Sequence, residues 1–99
     1  MVETVTTTDL YESTYYLLTG CELEGIEGMR VNGKITCRLS FRSPKIPQLQ
    51  MDYFQGGAEV NLLQFRRAYG QINALVRSAK KKAKAQLSRR SARPEGGPT

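Results

Sequence analysis

Between Lys34 and Arg42 apolar and polar residues alternate without a break. Ile35, Cys37, Leu39 and Phe41 fall on one side, and Lys34, Thr36, Arg38, Ser40 and Arg42 on the other. A period of two marks a strand with one buried and one solvated face. The preceding Asn32-Gly33 suits the left-handed angles of a type I′ turn, so residues 21–42 read as a β-hairpin. A strict two-residue turn pairs Val31 with Lys34 and Arg30 with Ile35, which puts Met29 and Val31 on the polar face. A bulge near Gly25 or Gly28, or a wider turn, would restore apolar partners for Ile35 and Cys37, so the first strand of the hairpin is expected to be irregular.

Elsewhere the spacing is helical. Leu62, Phe65, Tyr69, Ile72, Val76, Ala79 and Ala83 recur at intervals of three and four, the stripe of an amphipathic helix from Leu62 to about Ala85 with Asn61 as N-cap. A first helix is expected over Leu10–Thr19, opened by Asp9 and Glu12 at capping-box spacing and closed by Gly20. Its tyrosines cover more than one side, which places them at the core edge with wet hydroxyls. Pro47 suits the first turn of a short helix carrying Leu49, Met51, Tyr53 and Phe54, ended by Gly56-Gly57. The reading is α+β: short N-terminal helix, β-hairpin, short helix and long C-terminal amphipathic helix with a basic end. Residues 1–8 are expected to be a flexible lead, 9–85 a single domain and 86–99 a disordered basic tail, since Ser, Arg, Pro and Gly bury little apolar surface.

Charge adds direction. The 99 residues carry a formal +6, unevenly distributed. Residues 51–99 hold ten basic and three acidic side chains, and Arg77 to Arg93 hold eight basic and no acidic ones. Such a segment attracts polyanions. At 3.6 residues per turn, Arg66, Gly70, Asn73, Arg77, Lys80, Lys81 and Lys84 form one strip beside the apolar stripe. Cations at that spacing can follow a phosphate backbone, with Asn73 as a neutral donor and Gly70 admitting a close approach. Arg38 and Arg42, with Lys34, form a second positive surface on the hairpin. The competing reading of both surfaces is solvated charge that serves solubility.

Other classes lose weight. Histidine is absent and Cys21 and Cys37 make no CxxC pair, so no zinc site and no other cofactor is expected. No acid, base or nucleophile has a recognisable partner, and the glycine pairs match no phosphate loop, so neither an enzyme nor a small-molecule site is expected. The lack of a signal or spanning segment points to the cytoplasm, and the small apolar face beside the lysines argues against a membrane surface. No sequence-reading motif is present, so nucleic acid, DNA or RNA, is expected to be held mainly through its backbone. The alternative is an interaction or homodimerisation module pairing through Leu62, Phe65, Tyr69, Ile72 and Val76.

The stretches TTDLYESTYYLLTGCELEG, ITCRLSF and DYFQGGAEVNLLQFRRAYGQINALV resemble a small uncharacterised bacterial and phage family of the domain-of-unknown-function type, over about residues 7–77. The resemblance rests on a Thr-Asp helix with Tyr-Leu-Leu before a glycine, and on an aromatic-x-Gly stretch leading through Val60 and Phe65 into the last helix. It implies the domain limits and a bacterial, phage or mobile-element setting, and carries no catalytic residue. The basic extension beyond Arg77 lies mostly outside it.

Overall fold

A computed structural model describes residues 2–96 of the chain, with side chains to residue 86. The elements run β1 (Glu3–Thr7), α1 (Leu10–Leu18), β2 (Glu22–Val31), β3 (Lys34–Ser43), α2 (Ile46–Phe54) and α3 (Leu62–Gly96). The architecture is α+β, an antiparallel sheet in the order β1-β3-β2 with the helices on one side. Residues 3–7 are therefore no flexible lead. Val5 points inward opposite Phe41, while Thr6 on the outer face shares a 3.1 Å hydroxyl hydrogen bond with Ser40. β-Branched Thr and Val favour extended backbone, but with one apolar residue pointing inward the segment has no alternation to read. The helix α3 continues past the expected end near Ala85. Where a disordered tail is expected over 86–99, the backbone of 86–96 belongs to this helix, while the side chains beyond Gln86 and all of 97–99 lie outside the described residues.

Local chemistry sets the helix ends. Asp9 caps α1 by accepting from the Tyr11 and Glu12 amides at 2.9 and 3.2 Å. Glu12 does not close a capping box: Thr7 donates to its carboxylate at 2.8 Å and accepts from the Asp9 amide at 3.0 Å, relaying the two. At the other end Gly20 takes φ +90°, and the amides of Gly20 and Cys21 bond back to Leu17 and Tyr16, a Schellman closure. Asn61 caps α3 through its side chain on the Gln64 amide at 3.0 Å. Pro47 lies in the first turn of α2 as its fixed φ allows.

The core gathers Val5, Tyr15, Tyr16, Cys21, Cys37, Leu39, Phe41, Ile46, Leu49, Ile72 and Val76 between sheet and helices. Burying each large aliphatic or aromatic side chain contributes about 1.5–3 kcal/mol. Tyr15 and Tyr16 belong to this core and not to its edge, because Tyr16 finds a buried acceptor in Glu12. Ile72 and Val76 are buried against the chain's own sheet, so an interhelical seam through them is already occupied.

The hairpin resolves its conflict unexpectedly. Asn32 and Gly33 take φ +52° and +80°, and the strict pairing Val31–Lys34, Arg30–Ile35, Gly28–Cys37 is kept. The irregularity falls between Leu23 and Gly25, as expected near Gly25, but Ile35 and Cys37 gain no apolar partners from it. Gly28 faces Cys37 because α3 passes directly above: a Cβ there would lie 2.7 Å from that of Ala83. The helix itself covers Cys37, whose thiol lies 3.7 Å from the Val76 carbonyl oxygen. Val31 stays on the solvated face, 46% exposed.

Candidate nucleic-acid interface

Because Ala79 and Ala83 are small, α3 settles onto β2 with its long side chains splayed to either side. On the turn side, Arg77, Lys80, Lys81 and Lys84 face Arg30, Gly33, Lys34 and Ile35 across a depression of about 540 Å³. On the other side, Ser78, Lys82 and Gln86 border a second depression against Ile26, Glu27 and Gly28. The first has six cationic side chains and no carboxylate among its lining residues. It continues past Arg77 and Lys80, which also line a smaller depression of about 280 Å³ with Leu10, Asn73 and Val76. Asn73, Arg77, Lys80, Lys81 and Lys84 are thus brought together along one groove.

The charge of the groove is unbalanced. Among the described residues the ion pairs are Arg38–Glu27 and, at 3.6 Å, Arg42–Glu24, so none involves a groove cation. Burial pushes the Cys37 thiol up, and the positive charge of Lys80 opposes this. Like charges within one groove repel each other, and an anion lying along it relieves that repulsion.

The remaining predicted residues lie elsewhere. Arg38 and Arg42 alternate with the buried face of β3, so they stand on the open face of the sheet. There acids of β2 engage them, and the second positive surface is partly neutralised. Arg66 is exposed near the start of α3 and lines none of these depressions. Gly70 has open space around it: nothing lies within 4 Å of a Cβ built there, so no neighbouring element requires a glycine.

Sequence reasoning misses Arg30 and does not join Lys34 to the helix. The signal is present, because the strict turn puts Arg30 opposite Ile35 and therefore on the helix-covered face. Read along the chain, that pairing looks like a conflict to be relieved; in the fold it brings a cation to the groove.

Comparison with known protein families, characterised proteins and solved structures finds no match to this chain.

Proposed function

We propose that this is a non-enzymatic accessory protein that binds nucleic acid through backbone phosphates held in the groove between the hairpin turn and α3. One observation carries the reading: cations from segments more than forty positions apart in sequence, Arg30 and Lys34 on one wall and Arg77, Lys80, Lys81 and Lys84 on the other, converge on one depression without a carboxylate. A merely solvated helix face has no need of a second basic wall. Guanidinium and ammonium groups read no sequence when they contact phosphate, so affinity is expected to vary little with base composition. No helix of the described residues is long and apolar enough to cross a membrane, and a cytoplasmic location accords with a nucleic-acid partner.

The test is binding of labelled DNA and RNA across a salt series. If four or five phosphates are engaged on a duplex, log affinity falls with log salt at a slope of about −4. Substituting Arg77, Lys80 and Lys84 together by alanine abolishes binding and leaves the circular-dichroism spectrum unchanged, since all three lie outside the core. Binding retained by that variant would reject the groove.

A further inference from the structure

The line of groove residues on α3 continues toward its N-terminus. Four positions before Asn73 stands Tyr69, on the same side of the helix as Asn73, Arg77, Lys80 and Lys84. Tyr11 of α1 lies over it, ring centroids 5.2 Å apart and planes inclined by 15°. Phe65 extends the stack at 6.4 Å and 24°. Tyr11 is nevertheless 57% exposed. Its chain neighbour Leu10 lines the smaller depression with Asn73, Arg77 and Lys80, so the aromatic stack stands at the end of the cationic groove.

We infer that the groove takes a single strand, with phosphates along Arg77 to Lys84 and a base stacked on Tyr11. This rests on the nucleic-acid reading above and narrows it to a substrate class. In a duplex the base faces are covered by their neighbours, and Tyr11 would meet backbone. An unpaired base offers a free face, and aromatic rings beside a positive channel are how proteins hold single strands without reading their sequence. Stacking on Phe65 and Tyr69 holds the Tyr11 ring in place beforehand, so binding has less side-chain freedom to freeze.

Three labelled probes of equal length, measured by anisotropy at one low salt concentration with the full chain, separate the contributions. They are a mixed-sequence single DNA strand, the corresponding duplex, and an abasic strand with the same phosphates. The normal strand is expected to bind about 5- to 150-fold more tightly than the abasic one, the range for one stacked base. Tyr11→Ala removes this preference and leaves the abasic affinity unchanged. Tyr11→Phe keeps the preference, while Tyr11→Leu fills the space without an aromatic face and loses it, separating stacking from folding. Equal affinity of the wild-type chain for normal and abasic strands, a preference that survives in Tyr11→Ala, or a duplex bound as tightly as the normal strand overturns the single-strand stacking role and leaves the phosphate groove standing. Absence of binding to all three probes removes the groove, and the stacked base with it.

Discussion

Around the start of α1, three hydroxyls meet two carboxylates. Thr7 and Tyr16 donate to Glu12, and Tyr53 donates to Asp9 at 3.1 Å. Asp9 is at once the helix cap and the anchor of α2, which ties two elements through one side chain. Burial raises the pKa of Tyr53 first, and the hydrogen bond and charge of Asp9 add to this, to about 12 from an ordinary 10.0. Tyr16 is raised further, by burial and then by its bond to Glu12, and burial also raises Tyr15. Each folded value lies above the unfolded one, so the stabilisation is fully present below pH about 10 and is lost as pH rises through the folded values. Urea unfolding at pH 8, 9.5, 10.5 and 11.5 is therefore expected to give constant stability over the first two and a progressive loss over the last two. Equal stability at pH 8 and 11.5 would show that these tyrosines ionise alike in both states. Asp9 reads from the sequence as a cap and Gly20 as a stop, but nothing in the spacing shows that Thr7 stands between Asp9 and Glu12.

Between elements, the packing of α3 on β2 sets the groove's position. Gly28 permits it, and Ala79 and Ala83 provide the matching small face. A methyl group at Gly28 would lie 2.7 Å from the Ala83 Cβ, and overpacking of this kind costs about 1–3 kcal/mol. Gly28→Ala is expected to lower stability by that amount in urea titrations. Adding Ala83→Gly restores the space at a helix-propensity cost of about 1 kcal/mol, so the double variant should lose less than the sum of the single ones. Strict additivity would mean that the two positions do not touch. The hairpin, its turn and the helical stripe are legible in the sequence because periodicity and turn chemistry are local. The third strand is not, since Glu3–Thr7 has a single inward apolar residue and its pairing with β3 depends on tertiary packing.

For the whole molecule the sheet separates two faces of different charge. The open face pairs Arg38 with Glu27 and Arg42 with Glu24, whereas the groove beside α3 gathers Arg30, Arg77, Lys80, Lys81 and Lys84, with Lys34 bordering it at the turn, without such partners among the described residues. A helical wheel recovers the α3 half of this groove, because Asn73 to Lys84 share one strip. It recovers neither the opposing wall, which depends on how the hairpin sits under the helix, nor the exclusion of Arg38 and Arg42, which depends on which sheet face is covered. The most direct test compares two double variants of the same hairpin with the same change in net charge: Arg30→Gln with Lys34→Gln, and Arg38→Gln with Arg42→Gln. Each is titrated with a labelled single-stranded oligonucleotide across a salt series. If the groove holds phosphates, the first pair weakens binding and flattens the salt slope by about 1.4, roughly 0.7 for each single-strand phosphate no longer held, while the second behaves like the wild-type chain. Equal weakening by both pairs would mean that net charge alone attracts the strand, contradicting a groove built between hairpin and helix.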